Sequence, residues 1–284
     1  MDSYVSTGYG KLRKVLLCKP DYFEFQPVNE TTRPLLEKGI KADVQRVRCE
    51  HQNLAEALVE AGAEVIWVKP DSESKYQVYT RDLGTVTAKG ALLGKFHWPL
   101  RHKEVDLALD IITQHIPVWK RAPDVSEVVF EGGDFMYMDE RTAVIGMGAR
   151  TTPAGAQFVV ESMAELGVEA IPVKFDPRFC HIDMIFNVVA EKICVACVSA
   201  LPKEFLSRLN DEKWSIIETT PEDVLALLGN LFAVDKGVVI SPKLNKHING
   251  ELRALGVRII EVELDELLKG GGGPHCMTYP LLRD

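Results

Sequence analysis

Apolar and polar positions follow two periods along the chain, and the two periods recur in a fixed order. Residues 43–62 have helical spacing, with Val47, Leu54 and Leu58 on one face, and Gly62 follows as a helix stop. Short apolar runs typical of buried strands come directly after such stops, as in AGAEVIWV, LGVEAIPV and LGVRIIEV. The pattern therefore predicts helices that pass through a tight stop into strands.

Pairs of short strands precede most of these helices. The predicted hairpins cover residues 84–96, 135–148, 185–198 and 230–242. Hairpin, helix and strand recur about five times, at a period of roughly fifty residues, which is typical of an open or closed array of repeats. Because no linker rich in Pro, Gly or Ser interrupts the chain, we expect residues 1–284 to form one domain.

Composition and charge exclude several classes of protein. With 284 residues, of which 46% are hydrophobic and 26% charged, the chain can bury a large core. A net charge of −8 argues against a nucleic-acid partner. No apolar run approaches the ~20 residues of a membrane helix, and the first one, residues 15–17, is too short for a signal peptide. We therefore expect a cytoplasmic protein whose six cysteines are reduced thiols.

Residues capable of chemistry lie in four separate stretches. They are VYTRDLG with Asp82, VVFEGGDF with Glu131, FCHIDMIF with His181 and Asp183, and GGGGPHCMTYP with Cys276. Taken singly, VYTRDLG is also typical of a surface ion pair and VVFEGGDF of a glycine turn. FCHIDMIF is also typical of a polar strand end, and GGGGPHCMTYP of a flexible tail. If FCHIDMIF is a strand, its alternation points His181 and Asp183 toward the same face.

The four stretches suggest a common chemistry when they are considered as a set. A thiol nucleophile needs a base, and that base needs a group to orient it. More carboxylates are present than this arrangement requires, and carboxylates gather around a cation. A guanidinium is planar and offers N–H donors in fixed directions, so two carboxylates can hold it. The set therefore suggests attack of a thiol on a guanidinium carbon.

The motifs YTRD, FEGGD, CHIDMIF and GGGGPHCMTYP, in this order, resemble those of the guanidino-group-modifying enzymes. This superfamily includes arginine deiminases, dimethylarginine dimethylaminohydrolases and amidinotransferases. The resemblance extends from YGKLRKVLLCKP to the last motif and implies an α/β fold, the pentein or five-bladed α/β-propeller of ββαβ repeats. The repeat count agrees with this fold, although the pattern alone does not predict that the ring closes.

The resemblance also implies a role for seven residues. Cys276 is expected as the nucleophile, His181 as general acid and base, Glu131 as the partner of the histidine, Asp82 and Asp183 as the guanidinium clamp, and Arg101 and Arg150 as ligands of the substrate's carboxylate. From the residues alone, the two arginines are typical of a solvated surface. His275 is not the expected base, because neighbours on an extended segment face opposite ways. The implied reaction requires no metal and no organic cofactor.

Three features bear on the member of the superfamily. Asp183 is shared with deiminases and amidinotransferases and favours an unmethylated guanidine. The short spacing between Asp82 and Glu131 leaves no room for the helical insert of deiminases and favours the compact dimethylarginine hydrolases. Tyr76 occupies the position where deiminases often have an asparagine that contacts the substrate backbone.

We predict a hydrolase of a guanidino compound, arginine or arginine-like, with an amidinotransferase as the alternative. The two reactions share a covalent intermediate and differ in whether water or an amine resolves it. A non-catalytic pentein, such as the ribosome-binding translation factor of this fold, is disfavoured by the complete Cys, His and Glu set and by the negative net charge. The expected partner is a small cationic guanidino substrate, with no nucleic acid and no membrane, and a homodimer is compatible with the sequence.

Overall fold

Strands and helices alternate as the sequence pattern predicts in the computed structural model, which describes residues 4–284. The strands are β1 (Leu12–Cys18), β2 (Glu64–Val68), β3 (Gly84–Thr87), β4 (Gly90–Leu93), β5 (Val118–Arg121), β6 (Phe135–Tyr137), β7 (Thr142–Met147), β8 (Glu169–Lys174), β9 (Phe186–Ala190), β10 (Ile193–Ala196), β11 (Ser215–Glu218), β12 (Phe232–Asp235), β13 (Val238–Pro242), β14 (Arg258–Val262) and β15 (Tyr279–Arg283). The α-helices are α1 (Arg33–Glu37), α2 (Val44–Glu60), α3 (Glu104–Thr113), α4 (Pro153–Ala164), α5 (Ile182–Ile185), α6 (Lys203–Asp211), α7 (Pro221–Leu225), α8 (Lys246–Ala254) and α9 (Asp265–Leu268). Short 3₁₀ turns cover Thr80–Leu83, Pro99–Arg101, Gly132–Asp134 and Val198–Ala200.

Within residues 4–284 the strands form five three-stranded sheets. Their orders are β15-β1-β2, β3-β4-β5, β6-β7-β8, β9-β10-β11 and β12-β13-β14. In every sheet the middle strand pairs antiparallel with one neighbour and parallel with the strand that follows the helix. A hairpin partner can be adjacent in sequence, whereas a parallel partner needs a crossover, here a helix. The repeat is therefore ββαβ, and the predicted five-bladed α/β pentein fold is confirmed.

The first sheet joins the two ends of the described chain. Strand β15 lies antiparallel to β1, with Val15 opposite Pro280 and Leu16 opposite Tyr279. Strand β2 lies parallel to the other edge of β1, with Val15 opposite Val65. The first blade is therefore completed by β15, and this pairing closes the ring.

Local sequence explains most of the boundaries. Gly62, Gly167 and Gly256 follow α2, α4 and α8 with φ values of 93°, 71° and 82°, a backbone conformation that glycine adopts without steric cost. The middle strands are buried along most of their length because helices cover one side and neighbouring blades the other. Cys194 and Cys197 are both buried in the apolar core. In the part of the chain that the structure describes, no helix has the length and apolar character needed to cross a membrane.

Candidate active site

Five loops meet at the centre of the ring, and each one immediately precedes the first strand of a sheet. They carry Asp82 before β3, Glu131 before β6, His181 and Asp183 before β9, Asn230 before β12, and Cys276 before β15. All of these side chains are buried. Because the loops occupy equivalent places in the repeat, closing the ring brings together residues from every part of the chain.

The Cys276 thiol contacts one amide and one carboxylate. Its Sγ lies 3.1 Å from Asn230 Nδ2, which donates to it, and 3.3 Å from Asp183 Oδ2, which accepts from it. The Asn230 Oδ1 accepts hydrogen bonds from the backbone N–H groups of His275 and Cys276 at 3.1 and 3.3 Å. Burial and the Asp183 and Asp82 carboxylates raise the pKa of Cys276 well above its usual range. The sulfur is therefore a neutral thiol in the protein alone.

The His181 imidazole lies between two carboxylates. Its Nε2 is 2.8 Å from Glu131 Oε2, and its Nδ1 is 3.6 Å from Asp82 Oδ1. Burial lowers the pKa of His181, but Cys180, Asp82 and Glu131 outweigh this effect and raise the pKa well above its usual value. The imidazole is therefore protonated and donates to Glu131.

The Glu131 carboxylate is ionised although it is completely buried. Burial raises its pKa, but the Arg150 guanidinium and the His181 imidazolium together lower it below the usual range. Arg150 Nη1 lies 3.4 Å from Glu131 Oε2, and the backbone N–H of His97 donates to Glu131 Oε1 at 2.7 Å. The carboxylate thus stabilises the charged form of His181.

Arg101 is not placed as the resemblance implies. It is buried, and its Nη1 donates to Asp82 Oδ2 at 2.6 Å while its Nε and Nη2 donate to Glu104. Its Nη2 also donates to the backbone oxygen of Tyr79 at 3.1 Å. Because all three nitrogens already have acceptors, the expectation that Arg101 binds the substrate's carboxylate does not fit this structure. The guanidinium holds Asp82 in place.

The segment with His181 and Asp183 is a helical turn, α5, rather than the extended strand start that the alternation argument assumed. The two side chains reach the site in different directions. His275 Nδ1 donates to the Asp183 carboxylate, whose Oδ2 lies 2.8 Å away. Burial and the Arg81 cation lower the pKa of His275 to about 4, so the ring is neutral. His275 thus contacts Asp183 and not the sulfur of its neighbour.

Glycines allow two of the loops to approach the site closely. A Cβ on Gly133 would lie 2.7 Å from His181 Cγ, and a Cβ on Gly272 would lie 2.3 Å from Tyr79 Cε1. Both distances are shorter than real carbon contacts, so any side chain would displace the neighbouring ring. Gly271 has a φ of +91° and makes the turn that leads toward Cys276. The glycines of both motifs are therefore required for close packing around the site.

Two neighbouring cavities border these groups. The inner cavity has a volume of about 20 Å³ and is lined by, among others, Asp82, His181, Tyr76 and Cys276. The outer cavity has a volume of about 140 Å³ and includes Arg33 and Arg178 in its lining. Four residues line both cavities, namely Val28, Asn29, Arg150 and Cys180. Arg150 therefore borders both cavities, whereas Arg101, the other arginine expected to bind the substrate's carboxylate, borders only the inner one.

Contacts of residues 26–29 and Tyr76 with the glycine loop, residues 270–273, cover the inner cavity. Asn29 Nδ2 donates to the backbone oxygen of Gly270 at 3.2 Å. The Tyr76 hydroxyl donates to the same oxygen at 3.1 Å and accepts from the N–H of Gln26. About 20 Å³ holds little more than one water molecule, so any larger ligand enters only if these contacts open.

Two site residues were not selected from the sequence. Asn230 occupies the loop before β12, the only first strand for which no candidate was chosen, and its place in the repeat was the available signal. Asp134, in FEGGD, accepts the backbone N–H of Ile182 at 2.9 Å and so fixes the start of α5 behind His181. Asn230 belongs to no chemically distinctive pattern, and Asp134 lies in FEGGD, from which only Glu131 was selected.

Among residues 4–284, one group of possible metal ligands consists of Asp82, Glu131 and His181, whose ligand atoms lie within 4.8 Å of one another. Asp82 is paired with Arg101, and Glu131 is paired with Arg150. The protonated His181 imidazole offers no free lone pair to a metal ion, and its Nε2 already donates to Glu131. The donor set is therefore poorly suited to a metal ion.

Related sequences place the chain in a family. The family model described as N,N dimethylarginine dimethylhydrolase, eukaryotic, matches residues 19–283. Uncharacterized protein YkgA from Bacillus subtilis (strain 168) is 31% identical over 278 residues, which cover 98% of this chain and 94% of that protein. Arginine deiminase from Listeria monocytogenes serotype 4b (strain CLIP80459) is 25% identical over 252 residues, and the match covers 72% of this chain and 61% of the deiminase.

Solved structures share the fold. The N-terminal domain of ArgZ bound to product, an arginine dihydrolase from the ornithine-ammonia cycle in cyanobacteria, has a TM-score of 0.83 and 21% identity over 96% of this chain and 98% of that one. A variant of DDAH from Pseudomonas aeruginosa complexed with citrulline has a TM-score of 0.78 and 20% identity over 95% of this chain and 99% of that one. The chain therefore belongs to the N,N dimethylarginine dimethylhydrolase family and, through it, to the guanidino-group-modifying enzymes of the pentein fold.

Proposed function

We propose that this protein hydrolyses a guanidino compound, arginine or an arginine-like molecule, through a covalent S-alkylthiouronium intermediate on Cys276. One observation carries the proposal. Beside the buried thiol, Asp82 Oδ1 and Asp183 Oδ1 are buried carboxylate oxygens with no hydrogen-bond partner among residues 4–284. Unpaired buried acceptors are costly, and a planar guanidinium supplies several N–H donors at once. The two carboxylates thus suit a guanidinium clamp.

The same carboxylates account for how the thiol is activated. In the protein alone, Asp183 and Asp82 raise the pKa of Cys276. A guanidinium bound between them neutralises their charge and adds a cation beside the sulfur, so the pKa of Cys276 falls. The Asn230 amide, which donates to Sγ, then stabilises the thiolate. The nucleophile therefore forms when its substrate is bound, and the thiol proton is released to water.

In the first half of the reaction, the Cys276 thiolate attacks the central guanidinium carbon and a C–S bond forms. The C–N bond to the leaving amine then breaks, and His181, protonated beside Glu131, gives its proton to that amine. The amine departs neutral, and the remaining carbon stays attached to sulfur as a cationic thiouronium. Glu131 continues to hold the ring in position.

In the second half, the neutral His181 accepts a proton from a water molecule as that water attacks the same carbon. The C–S bond breaks, the electron pair returns to sulfur, and a ureido product is released. We propose that Arg150, which lines both cavities, binds a carboxylate on the substrate.

A substrate panel tests the proposal. Wild-type protein is incubated with arginine, monomethylarginine, dimethylarginine and guanidino acids, with and without an acceptor amine, and scored for ureido product and for transferred amidine. We expect ureido product, its loss in Cys276→Ser, and unchanged turnover in the control Cys49→Ser, which alters an exposed cysteine on α2. Wild-type turnover in Cys276→Ser would contradict the assigned nucleophile, and transferred amidine would identify an amidinotransferase.

A further inference from the structure

Another cavity, distinct from the outer one, lies next to the inner cavity and shares no lining residue with it. Its volume is about 30 Å³, and its lining includes Arg81, His275, Phe135 and Arg283. The chain neighbours of two of these residues, Asp82 and Cys276, line the inner cavity instead. The same two loops therefore separate the cavities, and we call the one lined by Arg81 and Arg283 the arginine cavity.

Two guanidinium groups in the arginine cavity form no salt bridge within residues 4–284. Arg81 and Arg283 are only 7% and 4% exposed. The buried arginines of the active site, Arg101 and Arg150, each pair with a carboxylate, but neither Arg81 nor Arg283 forms a salt bridge with any carboxylate of residues 4–284. Both lie against the same ring, with their Cζ atoms 5.8 and 5.0 Å from the centre of Phe232.

Backbone carbonyls satisfy these guanidinium groups only in part. Arg283 donates through Nη1 to Gly10 O and through Nη2 to Ala233 O, whereas its Nε is buried without an acceptor among residues 4–284. The Nε of Arg81 donates to the carbonyl of His275 at 3.3 Å. A buried N–H without an acceptor is costly, and a buried cation without an anion more so.

Burial lowers the pKa of Arg81 to about 10 and that of Arg283 to about 9, so both remain cations at neutral pH. A cavity of about 30 Å³ has room for roughly one or two water-sized guests. This volume excludes large organic anions and admits a monatomic one. We propose that the arginine cavity binds a small monovalent anion of the size of chloride between Arg81 and Arg283.

Anion binding at this place supports the loop that carries Cys276. The backbone N–H of Arg81 donates to Cys276 O at 3.0 Å, while its side chain donates to His275 O. An anion that fixes the Arg81 guanidinium therefore stabilises both contacts. The site does not depend on the chemistry proposed for the inner cavity, so it can be tested without a substrate.

Thermal unfolding gives the first test. Sodium gluconate, whose anion is too large for the cavity, is replaced stepwise by sodium chloride at constant ionic strength. We expect a saturable rise in Tm of roughly 2–4 °C for the wild type and none for Arg283→Gln. Arg13→Gln, which removes an exposed arginine paired with Asp284 on the neighbouring strand, should respond like the wild type. A wild-type Tm that does not change with chloride would overturn the proposal.

Bromide diffraction gives the second test and needs no variant. Crystals of the wild-type protein grown in sodium bromide should show an anomalous peak within hydrogen-bonding distance of both Arg81 and Arg283. A map with bromide only at the protein surface would overturn the proposal, even if chloride raised Tm. This measurement keeps the idea falsifiable if Arg283→Gln fails to fold.

Discussion

At the residue scale, the Cys276 sulfur has two polar neighbours with opposite effects. The Asn230 amide donates a hydrogen bond that favours the thiolate, and the Asp183 carboxylate favours the thiol. Neither effect depends on a flexible group, because both side chains are buried and have further hydrogen bonds. The reactivity of the sulfur is therefore set by two residues that can be changed separately.

We predict that Asn230→Ala lowers kcat/KM by about tenfold to a hundredfold, the range expected for losing a hydrogen bond to a charged group. It should also slow alkylation of Cys276 by iodoacetamide at a given pH, because the thiol pKa rises when the donor is removed. Asn187→Ala is the matched control, since this buried amide donates only to the carbonyl of Leu231. Equal alkylation rates in Asn230→Ala and the control would show that Asn230 only supports the fold.

We predict that Asp183→Asn has opposite effects on alkylation and on turnover. Removing the negative charge lowers the pKa of Cys276, so alkylation of the substrate-free protein becomes faster. Loss of one arm of the guanidinium clamp should lower kcat/KM by about tenfold or more. Asp211→Asn, an exposed position on α6, is the control for both measurements. If Asp183→Asn slowed both the alkylation of Cys276 and the turnover of substrate, the substitution would have damaged the structure instead.

At the element scale, the glycine loop is held by the contact between α2 and α9. Glu50 on α2 is buried and accepts the backbone N–H groups of Glu266 and Leu267 at 2.9 Å each. Arg46 donates to the same carboxylate from one turn earlier at 2.9 Å. Since α9 leads directly into the glycines before Cys276, this contact connects the longest helix of the described chain to the site.

We predict that Glu50→Ala lowers the free energy of unfolding by about 1–3 kcal/mol, because two buried N–H groups lose their acceptor. Urea denaturation measures this change. Glu56→Ala, an exposed position on the same helix that accepts only from Gln52, should change the stability by less than about 0.5 kcal/mol. If the two variants were equally stable, the α2–α9 contact would not contribute to stability.

The extent of the elements could be predicted because periodicity is a local property. Residues 43–62 were expected as a helix and form α2 from Val44 to Glu60, and residues 84–96 were expected as a hairpin and contain β3 and β4. The prediction failed at Ile182–Ile185, which is helical. A segment of four residues is too short for its hydrophobic pattern to distinguish a helical turn from a strand. The helical turn is favoured by Asp134, which accepts the backbone N–H of Ile182.

At the scale of the whole molecule, the ring depends on the pairing of β1 with β15. Tyr279 and Leu281 of β15 are fully buried, and the backbone N–H of Arg283 donates to Tyr4 O. The same strand carries Arg283 into the arginine cavity and follows directly after Cys276. The strand that closes the ring therefore also positions Cys276 and Arg283.

We predict that removing residues 279–284 abolishes cooperative thermal unfolding, because β1 loses its antiparallel partner and the first blade loses a buried strand. Circular dichroism during heating measures this. Removing Asp284 alone should lower Tm only slightly, since its side chain forms an exposed pair with Arg13. If the variant without residues 279–284 still unfolded cooperatively near the wild-type Tm, the ring would not need strand β15.

The sequence by itself determined the elements, the fivefold repeat and the identity of the reactive groups, since these depend on neighbours along the chain. The tertiary structure alone decided which groups meet. Arg101 pairs with Asp82 and Glu104, Asn230 contacts the sulfur, and Arg81 shares a cavity with Arg283. These relations join residues from different blades, and charge compensation depends on distance in space, which becomes defined only when the last strand closes the ring.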